Sequence, residues 1–166
     1  MRIKLLVLDV DGTLTDGGVY MDGQGGEFKR FHVRDGMGIA LLRASGVRTA
    51  FLSGRFSAAT AQRARDLGVD LLFNGVEKKL PVFLSLVRDL QIRPEETAYM
   101  GDDVNDVDCL RAAGFGCVPA DAVPEAKDAA HYVASLGGGR GAVREVADVI
   151  LARNASLQAE DGGAGL

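Results

Sequence analysis

The sequence predicts an open, mostly parallel α/β sheet flanked by helices, with a small β-hairpin flap inserted after the first strand. The chain has 166 residues, a length that suits one domain with a sizeable core. Apolar runs typical of strands alternate along it with stretches of helical periodicity, which indicates parallel strands joined by helices. The alternation is interrupted once, where two β-like runs flank a glycine-rich turn.

The predicted first strand, Ile3–Leu8, leads directly into two aspartates, Asp9 and Asp11. Its uninterrupted apolar run is typical of a strand buried on both faces of a parallel sheet, and such sheets bind ligands beyond the carboxyl ends of their strands. Two carboxylates so close repel unless a cation lies between them or one holds a proton. Oxygen ligands in this pattern suit Mg²⁺ bound with a phosphate, whereas the simpler alternative is an Asp-Gly turn with solvated acids.

The predicted hairpin flap covers about residues 16–31. Its two runs, Val19–Met21 and Glu27–Phe31, flank the turn Asp22–Gly26. Because it follows the first strand, we expect it to project over the carboxyl edge of the sheet. A two-stranded hairpin is marginally stable alone in water, so we expect it to pack on something else, for example another subunit.

The remaining predicted elements alternate along the chain. The predicted strands are Val47–Leu52, Asp70–Phe73, Thr97–Met100, Phe115–Val118 and His131–Val133. The predicted helices are Met37–Ala44, Ala58–Leu67, Glu77–Leu90, Val104–Ala113, Pro124–Asp128 and Ala142–Arg153. Ser57 is the expected N-cap of the second helix, and Gly68 its expected stop. Beyond Ala155 the sequence lacks periodicity, so residues 1–154 form the predicted domain and 155–166 a flexible tail.

Composition and charge exclude several classes of protein. A net charge of −4 argues against nucleic-acid binding, which normally needs a basic patch. The N-terminus shows no signal-peptide pattern and no apolar segment of membrane-spanning length, so we expect no membrane association. Cys109 and Cys117 lack the spacing of a zinc site or a disulfide framework, and a reducing cytoplasm is the expected location.

The ends of the predicted strands carry groups that suit phosphoryl transfer. Asp9 is the candidate nucleophile, which would form an aspartyl-phosphate, and Asp11 is the candidate general acid/base. Ser53, after the second parallel strand, either binds a phosphoryl oxygen at a helix N-terminus or simply belongs to the turn. Lys78 and Lys79 are candidate phosphate contacts, although a lysine pair on a helix is commonly a solvated face.

A second acidic cluster, Gly101–Asp106, follows the fourth parallel strand, where acidic residues are also common as helix caps. It would lie beside Asp9, so the two could share a Mg²⁺ ion. The first motif, Asp9–Thr13, resembles that of the haloacid dehalogenase-like phosphatases. Across Leu5–Asp106 the order of an aspartate pair, a serine, a lysine and a Gly-Asp-Asp motif also resembles that family.

The resemblance implies a Rossmann-like fold and Mg²⁺-dependent phosphatase activity. The metal ligands that it implies are the Asp9 carboxylate, the Asp11 backbone carbonyl and Asp102. It places Ser53 on the phosphate and selects Lys79 over Lys78. Asp103 and Asp106 are then supporting residues that orient the lysine or metal-bound waters.

Over residues 3–153 the chain resembles one branch, the 3-deoxy-D-manno-octulosonate 8-phosphate phosphatases. The motifs that carry this resemblance are the Asp9–Gly17 run, the flap, Phe31–Ile39, Ser53–Arg55, Gly101–Asp103 and Gly138–Glu145. The branch implies a phosphorylated eight-carbon keto-deoxy acid as substrate and a place in lipopolysaccharide biosynthesis. It also implies a homotetramer in which a neighbouring subunit closes each site.

A substrate with a carboxylate gives the arginines a role. Arg55 and Arg63 could bind this carboxylate through bidentate hydrogen bonds. Taken by itself, Arg63 is equally well explained as a residue on the solvated face of a helix. The resemblance favours both as substrate contacts, and it implies that the sugar pocket is lined by His32, Val33, Arg34, Asp35 and Gly36. Arg55 favours the eight-carbon enzymes over nine-carbon relatives, which tend to carry glutamate there. Arg140, between glycines, either reaches a neighbour's site or stays solvated.

Two other interpretations remain open at this point. One is a phosphatase for a nine-carbon keto-deoxy sugar acid phosphate, and the other is a catalytically silent oligomerisation module. A silent module has no need of Asp9, Asp11, Lys79 and Asp102 together. The chain departs from the family pattern at Ser53, where threonine is usual, and at Lys78, where an acidic residue is usual.

Overall fold

The computed structural model describes residues 1–163, with side chains as far as residue 159. The strands are β1 (Leu5–Leu8), β2 (Tyr20–Met21), β3 (Glu27–Phe28), β4 (Arg48–Ser53), β5 (Leu71–Asn74), β6 (Thr97–Met100), β7 (Phe115–Val118) and β8 (Tyr132–Val133). The helices are α1 (Val33–Ala44), α2 (Ala58–Leu67), α3 (Lys79–Asp89), α4 (Val107–Ala112), α5 (Pro124–Ala129) and α6 (Ala142–Gly163). Short 3₁₀ turns cover Pro94–Glu96 and Val104–Asp106.

Six of the strands form one parallel sheet in the order β5-β4-β1-β6-β7-β8. β1 lies in its interior, with Leu5 in register with Arg48 of β4 and with Thr97 of β6. β2 and β3 form a separate antiparallel hairpin, shorter than the sequence predicted. The predicted fold class is confirmed. The chain changes direction across the sheet beside β1, which is where open α/β sheets place their ligands.

The two faces of the sheet bury separate apolar cores, because successive side chains of β1 point to opposite sides. Leu6 and Leu8 pack in the core that includes residues of α1 and α6. Leu5 and Val7 pack in the opposite core, with residues of α3, α4 and α5. All four side chains are fully buried, so β1 is held rigidly from both sides.

The helix α1 begins at Val33, four residues before the predicted start at Met37. The reason is an N-cap at His32, whose Nδ1 accepts the backbone N–H of Arg34 at 3.2 Å. The helix α2 has its predicted bounds. Its N-cap is the predicted Ser57, and its C-cap is Gly68 in the left-handed conformation, φ +63°.

The helix α6 is longer than predicted, since it continues past Arg153 to Gly163. Residues 155–163, predicted to belong to a tail without regular structure, therefore extend this helix; the alanine, leucine, glutamine and glutamate there are good helix formers. Residues 164–166 of the predicted tail lie outside the described residues. Among residues 1–163, no helix is both long and apolar enough to cross a membrane.

The side chain of Asn154, on α6, hydrogen-bonds to the backbone just before β1. Its Oδ1 accepts the backbone N–H of Ile3, and its Nδ2 donates to the carbonyl of the same residue, both at 2.8 Å. Both residues are buried, so water cannot take over either bond. The side-chain amide thus satisfies both backbone polar groups of Ile3, just before β1 begins.

Replacing Asn154 with alanine is expected to lower the free energy of unfolding by about 2–3 kcal/mol, because a buried donor and a buried acceptor lose their partners. For a chain of this length, that corresponds to a fall in Tm of about 5–10 °C. Ser156→Ala, an exposed change on the same helix, is the matched control and should stay within about 0.5 kcal/mol of wild type. Equal melting of the two variants would show that the Ile3 contact contributes nothing.

Candidate active site

A cavity of about 180 Å³ opens where the carboxyl ends of β1, β4 and β6 meet. The residues that line it are Asp9, Asp11, Gly54, Arg55, Asp102, Asp103 and Asn105. Asn105 was not among the predicted site residues, although it lies inside the predicted acidic cluster. Five predicted site residues (Asp9, Asp11, Arg55, Asp102 and Asp103) are therefore brought together at one edge of the sheet.

Asp9 is the first residue after β1 and is 4 % exposed. Its backbone N–H donates to the carbonyl of Met100 at 2.9 Å, which fixes its main chain against β6. Burial and the charge of Asp106 raise the pKa of the Asp9 carboxyl well above its usual value, and the ion pair with Lys79 opposes them. An additional cation at this point would favour the ionised form that a nucleophile needs.

Lys79, the first residue of α3, joins two carboxylates. Its Nζ lies 2.6 Å from Oδ1 of Asp9 and 2.7 Å from Oδ1 of Asp106. Burial alone would lower the pKa of this ammonium, but the two carboxylates raise it to about 12. Lys78, in contrast, is exposed. The structure therefore places Lys79 and not Lys78 at the base of the site.

Asp106 is fully buried behind Lys79, and both of its oxygens are occupied. Oδ1 accepts from Lys79 and from the Tyr99 hydroxyl, the latter at 2.6 Å. Oδ2 accepts the backbone N–H groups of Asp102 and Asp103, at 3.0 and 3.3 Å. With these four contacts, Asp106 holds the lysine on one side and the loop after β6 on the other. Asp103 itself is exposed, and its Oδ1 accepts the N–H of Val104.

The site contains more negative than positive charge. Carboxylate oxygens of Asp9, Asp102 and Asp106 lie within 4.8 Å of one another, and one ammonium, that of Lys79, contacts this group. Burial and the charge of Asp106 raise the pKa of Asp102 to about 6. Since the oxygens of Asp106 are occupied, Asp9 and Asp102 are the carboxylates available to a further cation. Hard oxygen donors of this kind fit Mg²⁺.

The loop after β1 passes very close to Asp102. At Gly12 the backbone has φ +92°, and a Cβ there would collide with the Asp102 carboxylate. Glycine is therefore required at this position by both conformation and space. On its other side the loop contacts Gly138, where a Cβ would collide with the carbonyl oxygen of Gly12. The loop after β1 is thus packed between Asp102 and the segment around Gly138.

Asp11 contacts a residue of the hairpin. Its Oδ1 lies 2.8 Å from Nζ of Lys29, which follows β3. Lys29 was not among the predicted site residues, because a lysine within a predicted hairpin strand normally indicates a solvated face. The one signal that could have found it is the alternation along this strand, which places Glu27 and Lys29 on the same side.

Of Ser53, Arg55 and Arg63, only Arg55 lines the cavity. Ser53, the last residue of β4, is buried, and its hydroxyl donates to the carbonyl of Arg55 at 2.9 Å. Arg55 lines the cavity, and its Nη2 lies 2.8 Å from Oε2 of Glu27. Arg63 lies in a neighbouring groove of about 290 Å³ between the hairpin and α2, where its guanidinium stacks on Phe31.

The segment predicted to line the sugar pocket does not line this cavity in the single chain. His32 caps α1, while Val33 and Arg34 point to solvent. Asp35 is buried, and its Oδ1 accepts the N–H of Arg144 at the start of α6 at 3.0 Å. In the single chain Asp35 therefore bonds to the start of α6, and its contact to the sugar stays a prediction. Gly36 is buried too, and a Cβ there would press on Arg63.

This arrangement has the parts that phosphoryl transfer requires. A buried carboxylate, Asp9, is held by a lysine whose charge can face a phosphoryl oxygen. A second carboxylate, Asp11, lines the same cavity and can exchange protons with a substrate or a water. A helix begins just beyond Ser53, and a free Asp102 carboxylate adds a place for a cation.

Comparison with known proteins supports the same chemistry. The family model of haloacid dehalogenase-like hydrolases matches residues 27–114. The 3-deoxy-D-manno-octulosonate 8-phosphate phosphatase KdsC of Yersinia pestis is 43 % identical over 161 residues, 97 % of this chain and 86 % of that protein. The Escherichia coli K12 enzyme of the same name is 42 % identical with the same coverage.

Comparison with solved structures also finds similarity to 3-deoxy-D-manno-octulosonate 8-phosphate phosphatases. The 3-deoxy-D-manno-octulosonate 8-phosphate phosphatase of Moraxella catarrhalis, in complex with magnesium, phosphate and a KDO molecule, superposes with a TM-score of 0.90 at 37 % identity. The match covers 97 % of this chain and 92 % of that one. The cobalt-bound Haemophilus influenzae enzyme has a TM-score of 0.90 at 41 % identity, covering 93 % and 90 % of the two chains.

Proposed function

This chain belongs to the haloacid dehalogenase-like hydrolases, in the family of the 3-deoxy-D-manno-octulosonate 8-phosphate phosphatases, and we propose that it hydrolyses that compound to 3-deoxy-D-manno-octulosonate and phosphate. The observation that carries this proposal is the buried Asp9 carboxylate, held by Lys79 in a cavity that Asp11 also lines. The names of the relatives at 42–43 % identity supply the substrate, and a place in lipopolysaccharide biosynthesis is part of the proposal.

The proposed reaction has two steps, and residues of this chain act in both. An oxygen of Asp9 attacks the phosphorus, the bond to the sugar oxygen breaks, and Asp11 gives that oxygen its proton. A water then attacks the aspartyl-phosphate, Asp11 takes up its proton, and phosphate leaves with Asp9 restored. Lys79 neutralises phosphoryl charge throughout, and the Ser53 hydroxyl is the proposed contact to a phosphoryl oxygen.

Mg²⁺ would be held by the carboxylates of Asp9 and Asp102 and by the backbone carbonyl of Asp11. When bound, it supplies positive charge that offsets the phosphate and the crowded carboxylates. Asp106 supports this arrangement from behind, through its contacts to Lys79 and to the loop after β6. Asp103, at the wall of the cavity, is the second proposed supporting residue. Arg55 is the proposed partner of the substrate carboxylate; in this structure its guanidinium contacts Glu27.

Metal binding is expected to stabilise the protein more at pH 7.5 than at pH 5. The pKa of Asp102 is raised to about 6, so without metal the folded state binds more protons than the unfolded state between about pH 4 and 6. In the absence of metal, the free energy of unfolding therefore falls as the pH rises through this window, because Asp102 loses its proton inside the folded protein. Mg²⁺ requires the ionised carboxylate, so its effect grows over the same window.

The measurement is thermal melting with Mg²⁺ and with chelator at both pH values. At a Mg²⁺ concentration 100 times its Kd, the expected stabilisation is about 2.7 kcal/mol, or about 5–10 °C in Tm. Asp102→Asn should lose both the Mg²⁺ effect and its dependence on pH. An equal Mg²⁺ effect in this variant would remove Asp102 from the ligand set.

The proposed function is tested by phosphate release from 3-deoxy-D-manno-octulosonate 8-phosphate and from a nine-carbon analogue, with Mg²⁺ and with chelator. Fast, Mg²⁺-dependent release that favours the eight-carbon compound is the expected result. Release from the analogue alone would keep the chemistry but overturn the assigned substrate and the role of Arg55. No release from either compound would favour a catalytically silent oligomerisation module.

We also propose that the chain acts as a cytoplasmic homotetramer in which a neighbouring subunit closes the site. In the single chain the hairpin exposes the apolar side chains of Tyr20, Met21 and Phe28, which a partner could cover. The thiols of Cys109 and Cys117 are free, which fits a reducing compartment. Light scattering at four times the chain mass is the expected result, and a monomer would contradict the assembly.

A further inference from the structure

The strand that leaves the hairpin has two different faces. Phe28 and Arg30 are exposed, whereas the side chains of Glu27 and Lys29 turn toward the body of the domain. Glu27 contacts Arg55, and Lys29 contacts Asp11; both of these partners line the cavity. The hairpin therefore touches the site of its own chain through charged residues, while its apolar side chains face outward.

Lys29 has an unusual environment for a lysine. Its side chain has no exposed surface, although burying an ammonium costs several kcal/mol unless partners offset the loss of water. Its Nζ lies 2.8 Å from Asp11, 3.2 Å from the Thr60 hydroxyl of α2 and 3.6 Å from Glu27. The ammonium is thus fixed by three groups from three separate segments.

Because of this contact, the two oxygens of the Asp11 carboxylate lie in different environments. Oδ1 is buried against Lys29, while the side chain as a whole stays 21 % exposed and lines the cavity. Lys29 itself is not among the residues that line this cavity. One oxygen is therefore held, and the other is left to face the reacting groups.

We propose that Lys29 is a positioning residue, which holds Asp11 in the orientation needed to protonate the leaving sugar oxygen. The inference rests on the proposed function, since it assigns Lys29 a part in that reaction. Proton transfer requires the acid within hydrogen-bond reach of the oxygen that leaves, and a misplacement of about 1 Å can cost about 100-fold in rate. A flexible Asp11 side chain would lose that alignment. Through Lys29, the position of the hairpin sets the position of the acid.

The test compares two leaving groups in Lys29→Met, which keeps most of the side-chain volume and removes the charge. For 3-deoxy-D-manno-octulosonate 8-phosphate the leaving alkoxide needs a proton, so kcat/KM should fall about 10- to 100-fold. For p-nitrophenyl phosphate the leaving phenolate needs none, so kcat/KM should fall by less than about threefold. Lys4→Met removes the same charge at the far end of the sheet, from a half-exposed ion pair with Glu96, and should change neither value.

Equal losses for the two substrates would mean that Lys29 acts only by supporting the fold, and no loss would mean that it has no role; either result overturns the inference. A second variant, Thr60→Val, removes one contact to the ammonium without touching Asp11. It should show the same substrate-selective loss at a smaller size, and it decides the question if Lys29→Met does not fold. A wild-type protein inert toward the sugar acid phosphate would instead overturn the proposed function.

Discussion

Replacing Asp9 with asparagine is expected to abolish turnover of the sugar acid phosphate, with a fall in kcat of about 10⁴-fold or more, because the amide cannot form the aspartyl-phosphate. The fold should survive this change. Asp9 is one of three carboxylates crowded around one lysine, and burial together with Asp106 already disfavours its charge. We therefore expect the Tm in the absence of metal to stay the same or rise, as is common when an active-site charge is removed.

The measurements are phosphate release and thermal melting, together with light scattering to follow the assembly. Asp128→Asn, an exposed change on α5, is the matched control and should leave both turnover and Tm unchanged. Unchanged turnover in Asp9→Asn would refute the nucleophile assignment. Lost turnover together with lost folding would show that the carboxylate is structural.

Replacing Lys79 with methionine is expected to damage stability and activity together. The change leaves Asp9 and Asp106 buried without their counter-charge, and removing one partner of a buried ion pair costs about 3–5 kcal/mol. Turnover should fall at least about 100-fold, since the phosphoryl group loses its nearest cation. Chemical denaturation and phosphate release measure the two effects.

Lys78→Met is the matched control for this prediction, because the neighbouring lysine is exposed. Its free energy of unfolding should stay within about 0.5 kcal/mol of wild type. The pKa of Lys79 is raised to about 12, so its stabilising charge is fully present below its unfolded pKa and is lost only as the pH rises through about 12. A pH-dependent loss of activity between pH 6 and 9 would therefore not come from this lysine. Equal stability of the two variants would contradict the buried ion pair.

The arrangement of Asp9, Asp102 and Lys79 could be predicted because it depends on sheet topology. Parallel strands end at the same edge, so the residues that follow Leu8 and Met100 lie on one side of the sheet, and they meet because β1 and β6 are paired. The apolar runs and glycine stops identified those ends directly in the sequence. Those runs do not specify that β1 and β6 are neighbours in the sheet; the resemblance to the haloacid dehalogenase-like phosphatases implies it, and the strand order has it so.

The contacts of Lys29 and Asp35 could not be predicted in the same way. Lys29 reaches Asp11 only because the hairpin folds back onto the sheet, and nothing local to its strand specifies that packing. Asp35 lies in a motif that resembles a substrate pocket, yet it bonds to the N-terminus of α6, more than a hundred residues along the chain. Both are long-range contacts of charged side chains. Such residues are usually solvated, so their burial is invisible to a pattern of hydrophobicity.

The interior position of β1 also bears on how the molecule folds. Leu5 pairs with Arg48 on one side and with Thr97 on the other, so β1 pairs only with strands that are synthesised later than itself. Contacts this distant in sequence make folding slow, because the intervening loops must close before any pairing stabilises them. Until then the apolar run Leu5–Leu8 is an unpaired strand that can associate with other chains. We therefore expect refolding yield to fall with protein concentration, with aggregation as the competing reaction.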